Sequence, residues 1–206
     1  MPSFFLDKKS PIEKNYNGDL PHWFQPEKIQ YVTFRLSDSL PTTKIEELNQ
    51  IRDRFLEKYP QPWDQNVLHQ YNMAMGNCQQ ELLDNGYGKC YLENSEYRDI
   101  VAQSLHFGDN RSYKLIAYVI MPNHVHLLLQ PYGEERIEKI IGSIKRFTAT
   151  VINKQLAKSG AFWQREIWAR IVRNSGGLTR YIEYIKQNPK GLKEGKYTLY
   201  ISKEFG

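Results

Sequence analysis

Residues 121–131 read Met121-Pro122-Asn123-His124-Val125-His126-Leu127-Leu128-Leu129-Gln130-Pro131, and the apolar run Leu115-Ile116-Ala117-Tyr118-Val119-Ile120 comes directly before them. Two apolar segments joined by a Pro-Asn corner predict a β-hairpin in the interior of a sheet. Because side chains alternate along a strand, His124 and His126 should point to one face together with Leu128 and Gln130. The opposite face is wholly apolar and suits a layer of helices.

The segments around this hairpin predict the rest of the fold. Apolar residues alternate in 30–36, which predicts a strand, and they recur at helical spacing in 42–59, 94–106, 134–158 and 178–187. Short helices are predicted within 66–85, an irregular strand in 162–173 and an edge strand in 190–206. Helices separated by antiparallel strands indicate an α+β fold, a ferredoxin-like sandwich with a central antiparallel sheet and its helices packed mainly on one face.

Length and composition bound the class of protein. The 206 residues, 40% of them hydrophobic, predict a single domain over 1–206 with a helical insertion at about 61–93, after a locally packed arm at 1–28. No apolar stretch approaches the length of a membrane span, and Met1 to Lys9 is too short and too charged for a secretory signal, so we expect a cytoplasmic protein. Cys78 and Cys90 form no C-x-x-C pair and are expected to be free thiols.

Positive charge is concentrated in the second half of the chain. Residues 136–196 contain 14 Lys and Arg against four Glu and no Asp, a net charge of +10, so the remainder carries −5 of the total of +5. This asymmetry is typical of a protein that binds a polyanion, although solvated helix faces can also produce it.

The two histidines acquire possible partners in the last helix. A pair of imidazoles two positions apart on one strand is compatible with a metal site and equally with a structural role. In the helix at 178–187, Tyr184 lies off the apolar stripe, and Asn188 follows it by one turn. Two imidazoles and an amide oxygen could hold a divalent cation that polarises a phosphodiester, with a tyrosine beside it as nucleophile.

Three motifs in this order resemble a known family. The residues are Met121-Pro122-Asn123-His124-Val125-His126-Leu127, then Trp163-Gln164 with Trp168-Ala169-Arg170, then Tyr181-Ile182-Glu183-Tyr184-Ile185-Lys186-Gln187-Asn188-Pro189. Together they are similar to the HUH-type tyrosine transposases, particularly the REP-associated branch. The resemblance extends from Tyr31 to about Gly191, while 61–93 is longer than compact members need and the tail is short.

The resemblance implies an activity and a set of roles. It implies a transposase-like endonuclease and strand transferase that cuts single-stranded DNA near hairpins or repeats through a 5′-phosphotyrosine, as a monomer or a homodimer. Tyr184 would be the nucleophile, and His124, His126 and Asn188 would bind Mg²⁺ or Mn²⁺. A wider set of basic and aromatic residues would contact DNA by neutralising phosphates and stacking on bases: Lys145, Arg146, Trp163, Arg165, Trp168, Arg170, Arg173, Arg180 and Lys186.

Several alternatives remain open at this point. Tyr181 is a second tyrosine in the same helix, although its place on the apolar stripe favours packing. For the tryptophans, a place in the core is the alternative to a DNA surface, since aromatic residues in strands usually belong to the core. The chain could also be a non-catalytic nucleic-acid-binding module on the same scaffold, whereas Leu128 stands where a histidine-triad hydrolase would have its third histidine.

Overall fold

The structure, a computed structural model, describes residues 4–15, 22–61 and 63–206. The described chain forms two compact units, one of residues 1–37 with 91–206 and one of residues 38–90. Its strands are β1 (Glu13–Asn15), β2 (His22–Phe24), β3 (Gln30–Arg35), β4 (Tyr113–Ile120), β5 (His124–Pro131), β6 (Trp168–Ile171) and β7 (Thr198–Ile201). Its helices are α1 (Thr42–Lys58), α2 (Gln65–Asp84), α3 (Ser95–Gly108), α4 (Ile137–Gln155) and α5 (Ser175–Gln187), with a 3₁₀ turn at Tyr91–Glu93.

A five-stranded antiparallel sheet organises the first unit. Its strand order is β6-β3-β5-β4-β7. The elements β3, α3, β4, β5, α4 and β6 form the β-α-β-β-α-β arrangement of a ferredoxin-like sandwich. Strand β7 is added at the β4 edge, which confirms the edge strand predicted in the C-terminal segment. The predicted fold class is confirmed.

The two faces of the sheet are covered differently. Val125, Leu127 and Leu129 of β5 pack with α3 and α4 in the larger core cluster. On the other face, Leu128 packs with the apolar side of α5, through Leu178, Ile182 and Ile185. Two helices therefore cover one face and a single helix covers the face that carries the histidines, which agrees with the predicted alternation along β5.

The hairpin forms as its sequence predicted. Strands β4 and β5 pair antiparallel, and the amide of Met121 donates to the carbonyl of His124 at 2.9 Å to close the corner. Strand β5 lies between β3 and β4, so it is central and fully buried. Five of its eight residues are apolar, and the three polar ones, His124, His126 and Gln130, are buried with them.

Helix α4 shows where a simple apolar count misjudges a helix face. Val151 fits the helical spacing of apolar residues in 134–158, but it is only partly buried, and Thr148 is buried instead. The Thr148 hydroxyl donates to the carbonyl of Ile144 at 2.8 Å and accepts from the indole of Trp163 at 2.9 Å. Because its polar atoms are satisfied inside, this threonine can occupy a core position.

Several segments differ in extent from their predicted ranges. Helix α4 covers Ile137–Gln155 of the predicted 134–158, and β6 covers Trp168–Ile171 of the predicted 162–173. Helix α5 begins at Ser175, three residues before the predicted start at 178, because Asn174 caps it by accepting from the amide of Gly177 at 2.8 Å. Residues 38–90 form one compact unit that contains α1 as well as the single long helix α2, packed around Leu40, Leu48 and Leu83.

Of the predicted N-terminal arm, β1 and β2 pair in a small sheet, and residues 1–3 and 16–21 lie outside the described residues.

None of the helices in the described residues is long and apolar enough to cross a membrane.

Candidate active site

The histidine pair lies at the start of the central strand. His124 and His126 are 1% and 0% exposed, and their Nε2 atoms are 2.9 Å apart. Burial lowers the pKa of His124 to about 3 and holds the pKa of His126 well below its ordinary value. Both rings are therefore neutral at physiological pH, which is the form in which imidazole binds a metal ion.

The other nitrogen of each ring is held by a polar side chain. Nδ1 of His124 lies 2.7 Å from the side-chain oxygen of Asn123. Nδ1 of His126 lies 2.8 Å from the hydroxyl of Tyr31 and 2.9 Å from that of Thr33. These contacts fix the orientation of both rings and direct their Nε2 atoms toward one point.

Helix α5 brings the predicted nucleophile to this point. The hydroxyl of Tyr184 lies 3.4 Å from Nε2 of His126. The side-chain amide of Asn188 donates to the Tyr184 hydroxyl at 2.8 Å, and the backbone amide of Asn188 donates to the carbonyl of Tyr184 at 2.8 Å. The helical geometry thus continues through Asn188, and the strand and the helix meet within one chain.

The buried side of α5 explains this placement. Leu178, Ile182 and Ile185 face the sheet, and Tyr184 lies at the margin of that apolar stripe, where it is half-buried. The ring of Tyr184 meets that of His126 edge-on, with centroids 5.1 Å apart. A tyrosine at the centre of the stripe would be enclosed by the core, whereas one at the margin remains accessible.

Tyr181 has a different environment. Its ring stacks on Tyr31, with centroids 4.2 Å apart and an interplanar angle of 14°. Its hydroxyl is hydrogen-bonded to Arg170. These contacts favour the packing role considered for Tyr181 over the role of nucleophile.

The residues present fit a divalent cation. Two nitrogens at about 2.1 Å from one ion, in adjacent octahedral positions, are about 3.0 Å apart, and the two Nε2 atoms are separated by 2.9 Å. Within the part of the chain that the structure describes, no group of three His, Cys, Asp or Glu side chains is arranged to hold a metal. A third protein ligand would therefore be an amide or phenol oxygen, and Asn188 is the amide beside this point.

Tyr31, Thr33 and Asn123 belong to this site, although no sequence pattern predicted them as site residues. Tyr31 and Thr33 alternate with the apolar residues of the strand predicted at 30–36, and this pattern indicates no further role for them. Their contact with His126 follows from the pairing of β3 with β5, in which Thr33 is directly opposite His126. The alternation in 30–36 was the available signal, but the strand that pairs with this segment and the register of the pairing cannot be predicted from the segment alone.

The nine predicted DNA contacts divide into four groups, of which three lie within reach of solvent. Trp168 and Arg170 lie on β6 opposite Thr33 and Tyr31, hence on the same face as the imidazoles, and the Arg170 guanidinium stacks on the Trp168 ring at 4.2 Å. Arg146, Arg165, Arg173 and Arg180 are exposed. Lys186 forms an ion pair with Glu183 at 3.3 Å.

Two of the predicted contacts lie where DNA cannot easily reach them. Trp163 is 5% exposed and packs edge-on against Phe34 in the core beneath α4, which contradicts base stacking by this ring. The ammonium of Lys145 donates to the carbonyls of Gln164 and Arg165 at 2.6 and 2.7 Å, and burial lowers its pKa to about 8. Lys145 therefore secures the loop before β6 and is not a free phosphate ligand.

Known proteins match the part of the chain that contains the candidate active site. Residues 91–188 match the family model described as IS200-like transposase. A Haemophilus influenzae protein named as a REP-associated tyrosine transposase is 27% identical over 113 residues, which are 49% of this chain and 62% of that protein. The chain thus spans less than two thirds of that relative's length.

A solved structure gives a weaker likeness. It is described as a REP-associated tyrosine transposase bound to a REP hairpin; it is 15% identical, with a TM-score of 0.46, and the match covers 84% of this chain and 73% of that one. The family match includes both histidines, Tyr184 and Asn188. The resemblance to the IS200-like tyrosine transposases that the motifs predicted is therefore confirmed over residues 91–188.

Proposed function

We propose that this protein is a metal-dependent endonuclease and strand transferase that acts on single-stranded DNA, with Tyr184 as its nucleophile. The observation that carries the proposal is the position of the Tyr184 hydroxyl, 3.4 Å from Nε2 of His126 and 2.8 Å from the amide nitrogen of Asn188. A nucleophile, a pair of convergent imidazoles and an amide meet at one point, although they come from two distant segments. This is the arrangement that phosphoryl transfer to a tyrosine requires.

The reaction follows from these positions. The Tyr184 oxygen attacks the phosphorus of a phosphodiester, the bond from phosphorus to the 3′ oxygen breaks, and the phenol proton leaves to solvent. The 3′ oxygen takes up a proton as it leaves, so the products are a 5′-phosphotyrosine and a free 3′-OH. Asn188 donates to the phenol oxygen, so it orients the nucleophile and stabilises negative charge on it.

His124, His126 and Asn188 would hold Mg²⁺ or Mn²⁺. A cation bound there supplies Lewis-acid stabilisation of the charge that develops on the phosphate oxygens. The chain itself keeps the two imidazoles neutral by burying them. The hydrogen bonds at Nδ1 direct both Nε2 atoms toward the same point.

We propose single-stranded DNA with hairpin or repeat structure as the substrate. Support comes from the match to a REP-associated relative and from the net charge of +10 in residues 136–196. Trp168 and Arg170, on the same face as the imidazoles, are suited to a base and a phosphate next to the reacting group. A covalent intermediate retains the phosphodiester energy, which favours strand transfer over hydrolysis.

Incubation with hairpin-bearing single-stranded DNA and Mn²⁺ or Mg²⁺ tests the proposal. We expect a protein–DNA adduct that survives denaturation, and that is lost with a chelator. Tyr184→Phe should lower its yield by about 10³-fold or more because the attacking oxygen is gone. Tyr181→Phe is the matched control, since it removes a phenol three residues away in the same helix, and it should still form the adduct.

The competing function is a non-catalytic nucleic-acid-binding module. It is favoured by the basic half alone, and it predicts DNA binding that neither a chelator nor Tyr184→Phe affects. No adduct with any hairpin substrate, together with metal-independent binding, would support the binding module. An adduct that persists in Tyr184→Phe would remove that residue from the mechanism.

A further inference from the structure

Two hydroxyl groups meet at one ring nitrogen in this site. Nδ1 of His126 lies within hydrogen-bond distance of both Tyr31 and Thr33, at 2.8 and 2.9 Å. A metal-binding histidine usually directs its second nitrogen at a carboxylate, a carbonyl or a water. A hydroxyl differs from a carboxylate or a carbonyl, because it can donate as well as accept.

The hydrogen bonds determine where the protons lie when no metal is bound. The side-chain oxygen of Asn123 only accepts, so Nδ1 of His124 carries its proton and Nε2 of His124 accepts. The contact of 2.9 Å between the two Nε2 atoms then requires that Nε2 of His126 donates. Consequently Nδ1 of His126 is an acceptor in this state, and at least one of the two hydroxyls donates to it.

Metal binding at the two Nε2 atoms would reverse the donor and acceptor roles of His126. A cation needs the lone pair on Nε2 of His126, so in the neutral ring the proton must lie on Nδ1, which then donates to a hydroxyl oxygen. The separation of the two Nε2 atoms suits both states, because 2.9 Å is a hydrogen-bond length as well as the spacing of adjacent ligands. The rings need not move; only the protons do.

We propose that Tyr31 and Thr33 form a reversible hydroxyl pair that allows His126 to change tautomer when a divalent cation enters the site. The ring gives its Nε2 proton to solvent and takes one at Nδ1, so the proton count is unchanged. The hydroxyls rotate from donor to acceptor while both side chains stay in place. Tyr31 is held by its stack on Tyr181, and Thr33 by its pairing opposite His126.

Tyr31 and Thr33 are thus positioning residues, a role that rests on the proposed metal site. Each hydroxyl can serve the nitrogen when the other is absent. We therefore expect the two to be redundant, with a loss in the double variant greater than the two single losses combined. The loss should be larger with metal bound, because a cation on the ring makes the N–H a stronger donor that needs an acceptor.

The first test is the tautomer itself, which needs no variant of the two hydroxyls. Long-range ¹H–¹⁵N correlation spectra report which ring nitrogen carries the proton, and the His126 signal is assigned by comparison with His126→Asn. At neutral pH we expect the proton on Nε2 in the metal-free protein and on Nδ1 after saturation with Zn²⁺, used as a diamagnetic probe. A proton on Nδ1 in the metal-free protein would overturn the proposal.

The second test measures Mn²⁺ affinity by calorimetry without DNA. Tyr31→Phe and Thr33→Val should each weaken binding by several-fold at most, and the double variant by about 10–100-fold. A double variant with Thr33→Ser in place of Thr33→Val, combined with Tyr31→Phe, keeps one hydroxyl and should regain most of the affinity for Mn²⁺. This variant shows whether the loss in the valine variant comes from the missing hydroxyl or from a folding defect. Tyr118→Phe is the matched control, since it removes a phenol bonded to another imidazole, His106, at 3.2 Å on the opposite face.

The outcomes separate this inference from the proposed function. A double variant that binds Mn²⁺ as tightly as the unaltered protein would overturn the hydroxyl pair and leave the metal site intact. An unaltered protein that binds neither Mn²⁺ nor Zn²⁺ would remove the metal site, and the tautomer change with it.

Discussion

At the scale of single residues, burial and hydrogen bonding decide what each side chain can do. His124 and His126 are neutral because burial opposes their protonation, and both rings are oriented through Nδ1. Burial and hydrogen bonding also distinguish two neighbouring basic residues on α4. The ammonium of Lys145 donates to two backbone carbonyls, while Arg146 beside it is exposed.

These two residues should therefore respond oppositely to the same substitution. Lys145→Met leaves two carbonyls without their donor, so we expect the free energy of unfolding to fall by about 1–3 kcal/mol with little change in DNA affinity of the folded protein. Arg146→Met should change stability by less than about 0.5 kcal/mol. It should weaken DNA binding and reduce its salt dependence if Arg146 contacts a phosphate.

Thermal unfolding and binding to single-stranded DNA over a range of salt concentrations distinguish the two variants. If Lys145→Met left stability unchanged and weakened DNA binding as much as Arg146→Met, the assignment of Lys145 to the loop would be wrong.

At the scale of elements, α5 is the part that assembles the site. It carries Tyr184 at its margin and Asn188 at its end, and its buried face fixes its rotation over the sheet. Its first turn is stabilised by the side chain of Asn174, which accepts from the amide of Gly177. Loss of this cap should loosen the start of the helix that positions the nucleophile.

Asn174→Ala should lower the free energy of unfolding by about 0.5–2 kcal/mol and reduce the hydrogen-exchange protection of α5. The matched control is Asn94→Ala, since Asn94 caps α3 in the same way by accepting from the amide of Glu96 at 2.9 Å. The control should lower stability by a similar amount and leave the protection of α5 unchanged. Equal loss of protection in α5 from both variants would mean that the cap acts only on global stability.

At the scale of the first unit, the chain crosses the sheet from one edge to the other. It leaves β6 at one edge, passes over the histidine face as α5 and returns to the opposite edge as β7. Arg98, 3% exposed on α3, secures this return by donating to the carbonyl of Gly195 and to the hydroxyl of Thr198. The helix that carries Tyr184 is thus tied to the sheet at both of its ends.

Arg98→Met should therefore weaken the attachment of β7 to the sheet. Four acceptors lose their donor, because Arg98 also binds the carbonyls of Leu92 and Glu93. We expect a loss of about 1–3 kcal/mol in the free energy of unfolding, and faster amide exchange in β7 than in β5. Arg111→Met, which removes a surface guanidinium stacked on Phe107, should have neither effect.

Unchanged exchange in β7 would show that its pairing with β4 suffices without Arg98. Size-exclusion chromatography provides a second measurement, because an uncovered edge of β4 should promote association of copies.

Much of the fold could be predicted because the relevant patterns are local. Alternation in 30–36 and 124–130, helical spacing in α3, α4 and α5, and the Pro-Asn corner each depend on neighbouring residues, and the structure confirms them. The start of α5 and one core position of α4 depended on side-chain bonds. Asn174 extended α5 by three residues, and Thr148 took a core position because Trp163 and Ile144 satisfied its hydroxyl.

By itself the sequence determined the alternation that puts both histidines on one face, and the one-turn spacing of Tyr184 and Asn188. Both depend only on the periodicities of a strand and a helix. Tertiary structure alone decided that α5 lies over the histidine face, that Thr33 stands opposite His126, and that Trp163 is buried while Arg146 is exposed. These outcomes depend on strand register and on which apolar faces meet, and such contacts join residues far apart in the chain.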